Sequence, residues 1–554
     1  MRTVSESQPQ PHVLVDADRE AAARATADVL ARLRVVRAGE RDKRRRGLAY
    51  TLYCTALLFA IWGVPLLLAA ARAGADGRLA GPVAGRILPA LPTLVPAVLA
   101  GVVLLLAARG GWQGPALLDR AAVTWLLPQP VLRRALLLPR FVASAVRVSL
   151  VAVAVGAVAG FLLHALGAGT WWGMTGAGAF GGGAAGFAGT ALAVLVQRQD
   201  SDASVHRLPV FRVSRAVVAA LWAVAGVSLV YGPWPGERLV LWSGPWGWAA
   251  LPLTSAAGGP GVLAAGAGAV LTAVVLLVAG RHATGAVPHI PARVLRTQAG
   301  TALRVQASLY ALDLRQARAA VRATRRRASR HTARLPLPRR PELVVPWRDA
   351  TALLRTPERL RWALVWAGAA VALVSLEGVP APVTLLALPA GYLAAAQLAE
   401  PARIETDDVR RAAQLPWSAG QLARRHGLVP TAGLLVLFAL GGAAARAAGA
   451  WTDALVVLPL MVPALVGAAL VSAYRGPVPA HLMLGSTTPL GDTGPLGALL
   501  WQVRGPLVAL GCLAVVDGPA RGTAPDAVGL LWPLVVGAAT IWWAGVTARR
   551  TVRA

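Results

Sequence analysis

Twelve apolar segments constrain this chain more than any other feature, because each is close to the length that a helix needs to cross a bilayer. The hydrocarbon core has no water to bind backbone groups, so helices, which satisfy their own N–H and C=O groups, are the expected spanning structure. Only 14% of the 554 residues are charged, whereas a soluble protein carries about 25%. The sequence therefore predicts an all-α membrane protein with about twelve transmembrane helices. The predicted spans are 49–71, 89–108, 143–166, 173–196, 216–233, 260–280, 362–377, 380–399, 428–447, 453–473, 500–517 and 528–547.

Arginine-rich loops orient these spans. Nearly all of the 55 basic residues, of which only Lys43 is a lysine, fall on one side of the bilayer when the spans alternate. Positively charged loops remain in the cytoplasm, so we expect a bacterial plasma membrane protein with both termini cytoplasmic. A net charge of +30 could also indicate nucleic-acid binding. The arginines, however, lie in short loops and form no basic soluble face, so we expect no nucleic acid.

The spans form two similar halves. Each half has a basic amphipathic lead-in, two spans, a Leu-Pro segment on the basic side and four further spans. An even number of spans gives both halves the same orientation, as in the parallel repeats of transporters. The sequence thus predicts two parallel six-helix repeats with cytoplasmic amphipathic helices. The predicted regions are a basic N-terminal segment, a first half, a basic linker with a helix, a second half and a tail, at 1–46, 47–280, 281–361, 362–547 and 548–554.

The linker carries one apolar stripe with helical spacing. The stripe consists of Leu303, Ala307, Tyr310, Leu314, Ala317 and Val321, with arginines beside and behind it. Such a helix suits anionic lipid headgroups, to which basic side chains are attracted. The alternative is a surface on which another protein docks.

Sequence motifs for catalysis, metal binding and nucleotide hydrolysis are absent. A phosphate-binding GxxxxGK[ST] loop needs a lysine, and Lys43 has no glycine loop before it. Cys54 and Cys512 lie in separate spans, and the eight histidines are scattered, so no metal-ligand spacing is present. We therefore expect no catalytic residue, cofactor or metal in this chain. Acidic residues are nearly absent from the span interiors, which argues against ion-coupled transport.

A Leu-Pro segment followed by an arginine pair precedes the third span of each half. Proline favours the first turn of a helix, and an arginine pair can anchor such a helix at the headgroups. We therefore expect a short helix at the membrane surface in each half. The residues concerned are Leu127, Pro128, Arg133 and Arg134 in the first half, and Leu415, Pro416, Arg424 and Arg425 in the second.

These segments resemble those of bacterial ABC-2 type export permeases, in which a short coupling helix between the second and third spans contacts a separate ATPase. The stretch 345–359, VPWRDATALLRTPER, is similar to the connecting helix before the first span of that family. It carries Trp347, Arg348, Asp349 and Arg355. The tryptophan-rich stretch 233–253 is similar to a re-entrant or interfacial element on the outer side of those permeases.

Two features depart from the family pattern. The loop at 518–527 is too short to repeat the tryptophan-rich element in the second half. The family's permeases also often have six spans and dimerise, whereas this chain would be a fused pair.

The resemblance implies the permease subunit of an ATP-driven exporter that works by alternating access. Two copies of a separate P-loop ATPase would contact 125–141 and 414–427. The glycine- and alanine-rich spans fit either a hydrophobic or amphipathic cargo or close helix packing. The alternatives are a twelve-span secondary transporter and a multi-pass membrane scaffold or enzyme.

Overall fold

The structure is a computed structural model that divides into two compact units, with main bodies at Ala84–Ala307 and Ser329–Ala554. The structure describes residues 82–129, 131–198, 209–310, 335–375, 385–406, 415–447, 451–476, 494–517 and 527–553, with short pieces between 20 and 75 and between 449 and 492.

The first unit is helical throughout its described part. A π-helical turn at Phe59–Gly63 leads into α1, and a 3-10 turn at Val287–His289 separates α9 from α10. The helices are α1 (Val64–Ala75), α2 (Pro82–Arg109), α3 (Arg120–Trp125), α4 (Arg133–Ala165), α5 (Trp171–Arg198), α6 (Pro209–Tyr231), α7 (Glu237–Trp242), α8 (Pro245–Ala256), α9 (Val262–Ala286) and α10 (Ala292–Tyr310).

The second unit is also built from helices, with one two-residue antiparallel ladder. That ladder pairs β1 (Thr487–Thr488) with β2 (Gly491–Asp492). A 3-10 turn at Pro341–Leu343 precedes the first helix. The helices are α11 (Val344–Leu354), α12 (Pro357–Val374), α13 (Ala387–Leu398), α14 (Glu400–Thr406), α15 (Ala419–His426), α16 (Leu428–Ala447), α17 (Ala454–Tyr474), α18 (Gly494–Asp517) and α19 (Ala527–Arg553).

Eight helices in the described residues are long and apolar enough to cross a membrane, so the chain is an all-α, multi-pass membrane protein. They match eight of the twelve predicted spans. The eight are Ala84–Arg109, Arg133–Ala165, Trp171–Arg198, Val262–His289, Ala419–Ala447, Ala454–Tyr474, Gly497–Ala514 and Gly529–Arg550.

The other four predicted spans fall short of that standard for different reasons. The span at 49–71 is described only in pieces, and the side chains of α6 are described without a gap only over Val213–Leu229. The first turns of α12 carry Glu358, Arg359 and Arg361, so its apolar part is short. Of the span at 380–399, the structure describes only the twelve-residue α13 and the turn before it.

Glycines bring α4 and α5 into close contact along the first unit. A Cβ on Gly156 would lie 2.2 Å from the Gly178 carbonyl oxygen, and one on Gly178 would lie 2.3 Å from the Gly156 carbonyl oxygen. One turn further, a Cβ on Gly160 would lie 2.1 Å from the Met174 carbonyl oxygen. Small residues at a four-residue spacing allow membrane helices to approach in this way. At this interface the glycines serve helix packing.

One helix forms the centre of each unit. In α5 and α17, 56% and 67% of the apolar window is buried, more than in any other spanning helix described. In the second unit, α17 packs against α13, α16, α18 and α19 and contributes fully buried side chains such as Leu465 and Leu470. Its centre is apolar, so the polar contacts of this unit lie elsewhere.

The linker predicted at 281–361 is divided between the two units. Leu295 and Ala299 of α10 belong to a core cluster of the first unit, together with Leu137 and Phe141 of α4. The helix α11 packs against α14, α15 and α16 of the second unit. The predicted stripe is helical from Leu303 to Tyr310, and its remaining residues lie outside the described part of the chain.

The tryptophan-rich stretch forms the helices α7 and α8. Leu241 on α7 and Ala250 and Leu251 on α8 are fully buried. They pack against residues of α2 and α5 in one core cluster. This stretch is therefore an integral part of the first unit's packing.

Candidate functional site

Three elements of the second unit meet at one buried polar cluster: α11, α14 and α15. The helix α15 begins with a capping box, in which the Ser418 hydroxyl accepts from the Gln421 N–H and the Gln421 side chain accepts from the Ser418 N–H. This arrangement satisfies two backbone donors and fixes the start of the helix. Leu422 and His426, four residues apart, then occupy its buried face.

The cluster consists of Arg348, Asp349, Glu405 and His426, which we call the ion cluster. The Nδ1 atom of His426 lies 2.6 Å from Asp349 Oδ2, and its Nε2 atom lies 3.1 Å from Glu405 Oε2. The second contact is at ion-pair distance but is not aligned as a hydrogen bond. Arg348 donates to the same oxygen of Glu405. The side chains of His426, Asp349 and Glu405 are 0%, 3% and 5% exposed.

Each ring nitrogen of His426 faces one carboxylate, that of Asp349 or that of Glu405. Arg348 binds the Glu405 carboxylate as well, so the two acidic side chains of the ion cluster lie beside two basic ones. Buried charges require such pairing, because removal from water costs several kcal/mol per ion. The ion cluster therefore holds α11, α14 and α15 together, and loss of one member of a pair leaves its partner buried without that contact.

Further polar contacts attach neighbouring helices to α14. Arg359 at the start of α12 donates to Gln397 Oε1 at 2.7 Å and to Glu400 Oε1 at 3.2 Å. Glu400 also lies 3.7 Å from Arg403. The Thr406 hydroxyl donates to the carbonyl of Ala473 at 3.2 Å, near the end of the central α17. The short α14 thus connects α11 and α15 to the core of the unit.

The first unit has a neutral polar cluster, formed by two buried glutamines. Gln197 at the end of α5 donates to Gln298 Oε1 of α10 at 2.8 Å. Gln298 in turn donates to the Gly110 carbonyl at 2.8 Å, and Gln197 accepts from the Ala116 N–H at 3.3 Å. Both glutamines are 1% exposed. These amides attach α10 to the loop after α2 without any charge.

The second predicted surface helix is present, and the structure separates the roles of its residues. Leu415 and Pro416 precede the capping residue, so Pro416 does not start the helix. Arg424 is exposed, whereas Arg425 stacks on Trp417 at 4.3 Å and donates to the Glu342 carbonyl at 2.9 Å. Of the arginine pair, Arg424 therefore faces outward and Arg425 binds within the unit.

In the first half, the prediction of a short helix that begins at Pro128 is wrong. The short α3 ends at Trp125, and Leu127 and Pro128 lie in the turn that follows. Gln129 precedes another proline, and a residue before proline disfavours helical backbone. The exposed Arg133 and Arg134 instead form the first turn of the long α4. A buried hydroxyl, Thr26, accepts from the N–H of Leu132 at 2.9 Å just before this turn.

The predicted connecting helix forms as α11, directly before α12. The Trp347 indole N–H donates to the Leu335 carbonyl at 3.2 Å, and Arg348 and Asp349 belong to the ion cluster. Arg355 caps the end of α11 and is exposed. The structure therefore brings the connecting helix and the second surface helix into direct contact.

Glu405, His426, Gln197 and Gln298 are functional candidates that sequence reasoning missed. The position of His426 directly after an arginine pair gave no warning that it is buried. A usable signal is the spacing of Val345, Asp349 and Leu353, which places Asp349 on the buried stripe of a helix.

The contacts of the ion cluster are those of a group of side chains that holds helices together. No group of three or more His, Cys, Asp and Glu side chains in the described part of the chain could hold a metal ion. The second nitrogen of His426 faces a carboxylate, whereas a general base that activates a nucleophile faces a hydroxyl or thiol. The arrangement joins α11, α14 and α15 through contacts between charged and polar side chains.

Comparison with known proteins places the chain in a family. No curated protein sequence matches it. A family model described as a family of unknown function matches residues 87–479, which include the ion cluster, the amide pair and α15. Because this match covers more than half of the chain, the protein belongs to that family, DUF6297, a family of unknown function.

Proposed function

We propose that this protein is the membrane-spanning permease subunit of an ATP-driven exporter and works with a separate P-loop ATPase. In this proposal it lies in a bacterial plasma membrane with both termini in the cytoplasm. It moves a hydrophobic or amphipathic cargo by alternating access of two six-helix repeats. The resemblance of α11 and α15 to the connecting and coupling helices of ABC-2 permeases motivates the proposal.

The ion cluster is the observation that carries this proposal. A helix that receives force from a partner must be attached to the spanning helices, because otherwise its movement would be lost in local bending. The buried face of α15 is tied through His426 to Asp349 of α11 and Glu405 of α14. The opposite face presents Gln421 and Arg424 to the outside. This arrangement suits a helix that binds a partner protein with its exposed face and is attached to its own unit by its buried face.

Arg424 is the residue on which a test can rest. Its side chain is exposed and donates only to the Gly420 carbonyl of its own helix among the described residues, so its reversal removes the proposed partner contact and leaves the ion cluster in place. Arg425 is unsuitable for this purpose, because it also binds Trp417 and the Glu342 carbonyl. In the first half, Arg133 and Arg134 are both exposed and can be reversed together.

The experiment is co-purification with the ATPase encoded beside this chain, followed by measurement of ATP hydrolysis in lipid nanodiscs. We expect R424E to lower both association and the stimulation of hydrolysis, and R133E/R134E to do so in the first half. The matched control is R296E, which reverses an exposed arginine on α10 outside the surface helices. Absence of a co-purifying ATPase, or equal coupling in R424E and R296E, would refute the proposal.

A second candidate function is proton-coupled secondary transport. The buried Asp349, Glu405 and His426 favour it, since buried titratable groups in membrane proteins often lie on proton pathways. A carrier of this kind would lose transport when an ionophore collapses the proton gradient, and no ATPase would be needed. Transport that persists with the ionophore and requires the ATPase would exclude it.

A further inference from the structure

An apolar groove lies on the surface of the second unit between α12 and α16. Its volume is about 600 Å³, which falls in the range of about 300–1,000 Å³ that is usual for small-molecule sites. Leu364 of α12, Leu398 of α13 and the α16 residues Ala432 and Val436 line it, and its walls are almost wholly apolar. An acyl chain suits such a groove, because the lining offers it apolar contacts.

One cation, Arg361, is among the residues that line this groove. It is the last charged residue of α12 before an uninterrupted apolar stretch, 362–374. The next arginine towards the N-terminus, Arg359, is occupied by Gln397 and Glu400. Arg361 is exposed and makes no ion pair or hydrogen bond with the described residues. Its charge is therefore available to a ligand in the groove.

The neighbouring tryptophans mark the level of the membrane interface. Trp362 follows Arg361 directly and stacks on Trp366, with ring centroids 6.4 Å apart. Tryptophan is enriched where headgroups meet hydrocarbon. An arginine at this level lies at the depth of lipid phosphates, and the groove below it lies at the depth of acyl chains.

We propose that this groove binds one anionic phospholipid, with an acyl chain in the apolar channel and the phosphate on the guanidinium of Arg361. Arginine matches phosphate oxygens with two parallel N–H donors. The net negative charge of the lipid complements the unpaired arginine, which a zwitterionic headgroup would do less well. The site is independent of the proposed transport function.

The first unit contains a smaller groove of similar chemistry. It lies between α5 and α9 and has a volume of about 330 Å³. Its walls are apolar, with His282 as the one basic side chain among its lining residues. A basic group beside an apolar groove thus occurs in each unit.

The test is a lipid titration of the purified full chain, read by native mass spectrometry. The probes are dioleoylphosphatidylglycerol, which is anionic, and dioleoylphosphatidylcholine, which is zwitterionic. We expect R361Q to weaken the first phosphatidylglycerol binding step about fivefold, from the usual strength of one basic contact at a lipid surface. R361K should bind with an affinity between those of the wild type and R361Q, because it keeps the charge but loses the two parallel donors.

A second variant tests the acyl-chain part of the site. A432F fills the groove without altering charge, and we expect it to weaken the same binding step. The control L440F adds a ring at an exposed position of α16 outside the groove. Equal phosphatidylglycerol affinity in the wild type and R361Q, or in A432F and L440F, would overturn the proposal.

Discussion

Replacement of His426 should lower the free energy of unfolding of the second unit by more than the loss of one side chain's packing would. The variant H426L replaces the imidazole with an apolar side chain and leaves Asp349 without its 2.6 Å contact. The Asp349 side chain is 3% exposed, so water cannot replace that contact. Leaving one charge of a buried pair without its partner costs about 3–5 kcal/mol. We therefore expect a loss of about 3–5 kcal/mol in the free energy of unfolding.

The double variant D349L/H426L separates this cause from simple loss of packing. It removes both partners of the 2.6 Å contact together and leaves Arg348 paired with Glu405. The remaining cluster is neutral, and two apolar side chains fill the space. We expect the double variant to be more stable than the sum of the two single losses predicts, by about 2–3 kcal/mol, near the top of the range for residues in contact.

Equilibrium unfolding in mixed detergent micelles, followed by tryptophan fluorescence, measures all four members of this cycle. The control is H164L, because the polar contacts of His164 are only to backbone carbonyls, at 3.0 Å from Gly169 and 3.4 Å from Ala168. Its loss should cost about 1 kcal/mol, the usual net value of a hydrogen bond. Additive single losses, or equal losses in H426L and H164L, would show that the ion cluster is not a coupled unit.

Three further perturbations test other parts of the fold. G178A should lower the thermal stability of the first unit, because its Cβ would lie 2.3 Å from a backbone oxygen of α4, whereas G176A should raise it slightly, because that position is open. Q298L should cost about 1–3 kcal/mol, because it leaves buried polar partners unsatisfied. Burial raises the pKa of Glu237 above the ordinary carboxyl value, although Arg238 opposes this shift. The contribution of Glu237 to the free energy of unfolding is therefore fully present at pH values below the ordinary carboxyl pKa. This contribution is lost as the pH rises through the raised pKa. E237Q should therefore be more stable than the wild type at neutral pH and equal to it in acid.

Thermal unfolding of each variant beside its control decides these cases. Equal melting temperatures for G178A and G176A would contradict the close packing of α4 and α5. An unchanged stability in Q298L would show that the amide pair contributes nothing. A difference between E237Q and the wild type that does not vary with pH would contradict the role of proton binding.

The sequence by itself determined the class of protein and several local elements. Long apolar stretches must become helices in hydrocarbon, because backbone groups there have no other partner. For this reason eight predicted spans reappear as spanning helices. The helices α11 and α15 were also predictable, since their signals lie within a few consecutive residues. The prediction at Pro128 was wrong because a Leu-Pro dipeptide forms a turn, and does not start a helix, when another proline follows.

Only the tertiary structure decided which polar residues meet. Asp349 and His426 are 77 positions apart, and Gln197 and Gln298 are 101 apart. Periodicity can place a side chain on the buried face of its own helix, but it carries no information about the helix on the other side. The glycines of α4 and α5 show the same limit of sequence analysis. A glycine-rich helix is compatible with a cargo path or with close helix packing, and only the neighbouring helix distinguishes the two. The partner of a side chain depends on how helices cross, which is set by the summed packing of many residues distant in the chain.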